Sequence, residues 1–122
     1  MPPLATALEI GNYGERVAAA FVRRHGYRVL TRNCKTERGE IDLVCRDGNV
    51  LVFVEVRARS SDPFGRPAES IDTRKVEALR AAAEDYLHLL KRDDITWRID
   101  MVEVRLKVGE PPSCTLLPNI LA

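Results

Sequence analysis

Cysteine and histidine are scarce. Cys34, Cys45 and Cys114, with His25 and His88, make up the whole set, and no two stand at a metal-ligand spacing. An odd, dispersed set of cysteines excludes a disulfide framework, and the spacing offers no zinc site and no cysteine or histidine catalysis. Cys45 and Cys114 lie inside apolar runs and read as small buried hydrophobes. His25 precedes Gly26 and reads as a helix-terminal side chain. Long apolar runs are missing too: none approaches the roughly 20 residues needed to span a bilayer, so no membrane association is expected. Met1-Pro2-Pro3-Leu4 lacks a basic start, and Glu9 and Glu15 interrupt any signal-like stretch, which makes the cytoplasm the expected location. Repeats, low-complexity tracts and Gly-rich phosphate loops are absent, and with them any indication of a nucleotide cofactor.

Charge of one sign is also lacking. The net charge is +1, so no whole-molecule field draws in a polyanion. The distribution is less even. Among the basic residues only Lys35, Lys75, Lys91 and Lys107 are lysines, and Arg23, Arg24, Arg28, Arg32, Lys35, Arg38 and Arg46 crowd a stretch holding only Glu37, Glu40 and Asp42. Arginine's planar fork suits phosphate and carboxylate recognition. A GC-rich coding sequence that writes arginine for any surface cation accounts for the same count. What is present in ordinary amount is core material: 45% hydrophobic residues over 122 positions suit one compact domain, 1–122.

Periodicity predicts a helix over 5–24, with Ile10, Gly14, Val17 and Phe21 on one stripe and Gly26 as its stop. Gly11 and Gly14 weaken this helix and mark a close approach to a neighbouring backbone. Strands are expected over 27–31, 40–46 and 50–57. The last two are joined by Asp47-Gly48-Asn49, a strong hairpin signal. Val50-Leu51-Val52-Phe53-Val54 is apolar at every position, the mark of a strand covered on both faces. Residues 60–67, rich in Pro, Gly and Ser, read as a loop. A second helix is expected from 72 or 73 to 90, with Val76, Leu79, Ala83, Tyr86 and Leu90 buried. Strands over 96–106 and 114–117 follow. The order α-β-β-β-α-β predicts an α/β sandwich around a mixed sheet.

The chemistry concentrates in the hairpin. A two-residue loop at Gly48-Asn49 pairs Asp47 with Val50, and counting outward sets Asp42 opposite Glu55 and Glu40 opposite Arg57, all on one face. Facing carboxylates destabilise a sheet unless water, a cation or a metal offsets them. Magnesium, commonly held by one or two carboxylates with several waters, suits such a pair. A lattice of ion pairs, Glu40 with Arg57 and Asp42 with Arg59 or Arg38, satisfies the same spacing. Against it, Ile41, Val54 and Val56 flank the acids, and charges in covered strands need a reason. Glu15, on the first helix, reads by periodicity alone as a solvent-facing or capping residue.

Gly14-Glu15, Gly39-Glu40-Ile41-Asp42-Leu43-Val44 and Val52-Phe53-Val54-Glu55-Val56-Arg57-Ala58-Arg59 resemble the signature blocks of the YraN-like family of small bacterial proteins. Asn33, Phe64-Gly65, Lys75 and Arg98-Ile99-Asp100 fall where that family has similar residues. The resemblance implies a restriction-endonuclease-like fold, similar to archaeal Holliday-junction resolvases and the wider PD-(D/E)xK nucleases. It implies a metal site of Glu15, Asp42 and Glu55, with the Val56 carbonyl as a further ligand, holding Mg²⁺ or Mn²⁺. The usual lysine of the third-strand motif is Arg57 here. Arginine stays protonated and cannot serve as a general base, but it can hold a phosphate; Lys75 is the candidate replacement cation. The function implied is endonuclease action on DNA, with junction selectivity calling for two symmetric sites and hence a homodimer. Arg23, Arg24, Arg28, Arg32, Lys35, Arg38 and Arg59 are the expected backbone contacts. The alternatives are a nucleic-acid-binding module whose chemistry has decayed at Arg57, and a protein-interaction subunit that binds neither metal nor DNA.

Overall fold

The computed structural model describes residues 7–60, 73–92 and 94–121. The chain runs α1 (Ala7–Arg24), β1 (Arg28–Lys35), β2 (Glu40–Asp47), β3 (Val50–Ser60), α2 (Thr73–Leu90), β4 (Thr96–Leu106) and β5 (Ser113–Leu117). Its five strands form one sheet in the order β1-β2-β3-β4-β5. All neighbours are antiparallel except β3 and β4, which are parallel and joined through α2. This is the mixed-sheet α/β sandwich expected from the pattern, including the short last strand expected over 114–117.

Each helix covers one face of the sheet. Ala18, Ala19 and Val22 of α1 pack on Leu43, Cys45, Val52, Val54, Val102 and Val104. Leu79, Ala82 and Ala83 of α2 pack on Ile41, Val44, Leu51, Phe53 and Ile99. Alternate residues of β3 thus enter different cores, which is why the strand is apolar at every position. Phe53, 1% exposed, meets Tyr86 and Trp97 edge-on, and trimming it to alanine would cost about 3–5 kcal/mol.

Local chemistry sets the boundaries. At the end of α1 the Tyr27 amide donates to the Val22 carbonyl and the Gly26 amide to Arg23. That pattern needs a left-handed residue, which Gly26 supplies with φ +90°. Gly48, φ +59°, sits first in the two-residue hairpin turn, where a type II′ turn requires glycine.

Three expectations need adjustment. β1 continues past residue 31 to Lys35, because Arg32, Cys34 and Lys35 pair with Leu43, Ile41 and Glu40; as an edge strand it tolerates polar residues that hide it in the sequence. β3 likewise runs on to Ser60, so of the expected 60–67 loop only Ser60 is described, as strand, and 61–67, including Phe64-Gly65, lie outside the described residues. So do residues 5, 6 and 72 of the expected helix starts. Leu90 was expected on the buried stripe of α2 but is 41% exposed, since the last partners of α2 in the core are Tyr86 and Leu87.

Candidate functional site

β2 and β3 pair in step from Asp47–Val50 to Leu43–Val54. One step further would bring Asp42 opposite Glu55, and there the ladder opens. The Val56 amide donates to Asp42 Oδ2 at 2.8 Å instead of to a backbone carbonyl. Glu55 is 8% exposed, and the Asp42 charge acts directly on its carboxyl. Lys75 reaches in from α2, its Nζ 3.2 Å from Glu55 Oε1. Two carboxylates and an ammonium therefore meet in the gap between separating strands.

The geometry differs from the four-on-one-face arrangement expected from the count. Ile41 belongs to the α2-side core and Leu43 to the α1-side core, although residues two apart in a regular strand share a face. Alternation therefore slips at Asp42. Glu40 does not stand opposite Arg57: it pairs with Lys35 of β1, while Arg57 stands opposite Glu103 of β4. The strands separate before the counted register can reach that pair.

Glu15 arrives from α1. A Cβ on Gly14 would overlap the Ala58 Cβ, so the missing side chain lets the helix settle directly on β3, the close approach read from the sequence. Glu15 then lies within electrostatic reach of Asp42, Glu40 and Arg32. Burial, followed by the Asp42 charge, pushes its carboxyl above the ordinary value, while Arg32 pulls the other way. The effect at Glu55 is larger. Burial, then Asp42, pushes it up to about 7, with Lys75 only partly offsetting the rise. Burial and the Asp42 charge thus both oppose ionisation of Glu55.

A pair of carboxylates that resists full ionisation is a place where a divalent cation gains what a proton gains. Asp42, Glu55 and the Val56 carbonyl are hard oxygen donors of the kind Mg²⁺ and Mn²⁺ take. Among the described residues no three Asp, Glu, His or Cys side chains form a ready-made cage, so Glu15 stands outside the pair's immediate contact. The set fits a hydrated ion held by two carboxylates, with waters completing its shell.

The other predicted residues divide by position. Arg57 and Arg59 continue β3 beyond Glu55, opposite Glu103 and Arg105 of β4. Arg32 is beside Glu15, and Lys35 pairs with Glu40 at the same end of the sheet. Arg24 approaches Cys114 of β5, and Arg23 approaches Cys45 near the hairpin end, about 12 Å of helix from Glu15. Arg28, opposite Arg46, is at that end as well. The structure does not gather all seven expected DNA contacts around the acids.

Arg38 has a different task. Its Nε and backbone amide donate to Asp85 at 2.9 Å, its Nη2 lies 3.5 Å from Glu84, and it also reaches the Ala81 carbonyl. It fastens the β1–β2 turn to α2 and is not a partner for Asp42. The Arg98-Ile99-Asp100 block is architectural too. Fully buried Asp100 accepts from Tyr27 Oη at 2.6 Å, from Arg98 Nε at 3.0 Å and from the Asn119 amide at 2.9 Å, and Arg98 also holds Asp47.

Sequence reasoning gave Asn33 no place in the site. Arg32–Leu43 and Cys34–Ile41 are partners across β1 and β2, so Asn33 faces Asp42, and its φ is +51°. The signal available was its place among the residues shared with the resembled family, with no role attached to it. Among the described residues no helix is long and apolar enough to cross a membrane.

The model of the uncharacterised protein family UPF0102 matches residues 14–104. A UPF0102 protein of Dehalococcoides mccartyi is 42% identical over 103 residues, covering 84% of this chain and 85% of its own. One from Anaeromyxobacter dehalogenans is 46% identical over 102 residues, 84% of this chain and 76% of its own. A third, from Symbiobacterium thermophilum, is 39% identical over 110 residues, 90% and 93% of the two chains. The chain belongs to the UPF0102 family.

Proposed function

We propose that this UPF0102 chain is a Mg²⁺- or Mn²⁺-dependent endonuclease acting on DNA, with the opening between β2 and β3 as its active site. One observation carries the reading: where the ladder separates, Asp42 Oδ2 accepts the Val56 amide at 2.8 Å next to buried Glu55, whose Oε1 lies 3.2 Å from Lys75 Nζ. The α/β arrangement accords with the restriction-endonuclease-like fold implied by the family resemblance. Asp42, Glu55 and the Val56 carbonyl would hold the ion, with Glu15 joining through water. When bound, the ion supplies charge neutralisation at the scissile phosphate and acidifies a water.

The chain's own groups do the remaining work. Lys75 can lose its proton more readily than arginine, so it is the side chain suited to orient or deprotonate the attacking water. Arg57 remains cationic and holds the phosphate, where it stabilises developing negative charge. Arg32 and Arg59 contact the DNA backbone without reading sequence, so binding weakens as salt rises. Selectivity for branched DNA, with a homodimer presenting two sites, belongs to the same reading.

Cleavage of branched and linear DNA in Mg²⁺ and Mn²⁺ tests it, alongside Asp42→Asn and Glu55→Gln. Both substitutions should abolish metal-dependent turnover; activity surviving in both rejects the site. Arg57 in the place of the motif lysine favours a second reading, a DNA-binding module without chemistry. Salt-sensitive binding with no cleavage in either metal selects that reading.

A further inference from the structure

We propose that Asn33 is a positioning residue for Asp42: its left-handed backbone turns the Asp42 carboxylate out of the sheet and onto Val56 and Glu55. Among the described residues three non-glycines have positive φ. Lys91 follows α2 and Asn119 follows β5, while Asn33, φ +51°, lies inside a strand. Most side chains avoid that conformation, and asparagine is one of the few that accept it.

Its placement is informative. Arg32 is paired with Leu43 and Cys34 with Ile41, which leaves Asn33 and Asp42 as the step between. Leu43 is in the α1-side core, whereas Cys34 and Ile41 are in the α2-side core. Directly opposed residues share a face, so both strands reverse their alternation at this one step. A residue in the left-handed region on β1 provides the turn, and β2 follows it through the pairs on either side. Asp42 then sits where no regular β position is available, and its Oδ2 accepts the Val56 amide at 2.8 Å. A regular β residue at 33 would restore alternation and rotate Asp42 away from Glu55. Arg32, one residue earlier, is at the same time delivered to the α1 face beside Glu15.

The inference deepens the endonuclease reading and rests on it for its functional meaning, but its structural content is measured separately. The readout is amide hydrogen exchange at Val56, whose partner is the Asp42 carboxylate. In Asn33→Val, Val56 exchange should accelerate tenfold or more while Cys45 and Val52, within the regular ladder, keep wild-type protection. Asn33→Gly, which keeps access to positive φ, should retain Val56 protection. If the valine variant does not fold, Asn33→Ala makes the same comparison. Unchanged Val56 exchange in the valine or alanine variant, or equal loss in the glycine variant, overturns the proposal. Mn²⁺ titration of the same proteins reads the other question. Wild type that binds no Mn²⁺ removes the endonuclease reading and leaves the Val56 comparison standing. Where wild type binds, affinity should fall at least tenfold in Asn33→Val and survive in Asn33→Gly.

Discussion

Gly14 of α1 rests directly against Ala58 of β3, with no room between them for one further methyl group. That contact fixes how closely the first helix approaches the third strand, and with it the distance of Glu15 from the Asp42–Glu55 pair. The small residue works at long range from its own chemistry: it has no functional group, yet it brings one to the site.

Gly14→Ala should therefore destabilise the protein. Alanine gains about 1 kcal/mol over glycine in a helix interior, but overpacking typically costs about 1–3 kcal/mol, and here the obstacle is a neighbouring Cβ on a central strand. A net loss of up to about 2 kcal/mol in urea denaturation is expected, and Ala58→Gly in the same chain should restore most of it. Additive losses in the double variant would show that the two residues do not compete for this space.

Glu55 makes stability depend on pH. Its ordinary value of 4.5 applies to the unfolded chain, and the folded chain holds the proton up to about 7. Between those values the native state binds more protons, so its stability falls as pH rises from 4.5 to 7 and levels off above. The effect is at most roughly 3 kcal/mol. Glu55→Gln cannot ionise and should flatten this window, leaving the variant more stable than wild type at pH 8. Thermal melts of both proteins from pH 4.5 to 8 check the sign; parallel curves would refute it.

Lys75 opposes that rise. Removing its charge in Lys75→Met should push the Glu55 titration to still higher pH, because the nearest cation stabilising the carboxylate is lost. Lys75→Arg should leave it close to wild type. Carboxyl-carbon NMR titration of Glu55 measures both. Cleavage should fall in each variant, since arginine keeps the charge but not the ability to give up a proton.

Tyr27→Phe provides the structural control. The phenol donates to buried Asp100 at 2.6 Å and accepts from Arg98 at 2.8 Å, so its removal should cost about 1–3 kcal/mol by leaving buried polar groups short of a partner. This network lies at the hairpin end of the sheet. Mn²⁺ affinity and cleavage per folded molecule should therefore be unchanged, and a loss of both would connect the two ends.

Much of this molecule is legible in its amino acids. The all-apolar Val50–Val54 run announces a strand buried on both faces, because each alternate residue must enter a separate core. Gly48 announces the tight turn, and the turn fixes the pairing from Asp47–Val50 to Leu43–Val54, because a hairpin register propagates residue by residue. Gly14 suggests a close approach, since its lack of a side chain matters only against a neighbour.

Counting along strands cannot reveal where two strands cease to be regular. The slip at Asp42, the separation that keeps Glu40 from Arg57 and the left-handed Asn33 all arise from pairing among three strands and packing on both faces. Likewise, Arg38 is drawn to Asp85, and Arg98 to Asp47 and Tyr27, by partners more than forty residues away. Local sequence settles backbone preference and periodicity, which act over a few residues. Which charges meet is settled only when the layers close, because electrostatic and packing contacts depend on distance in space.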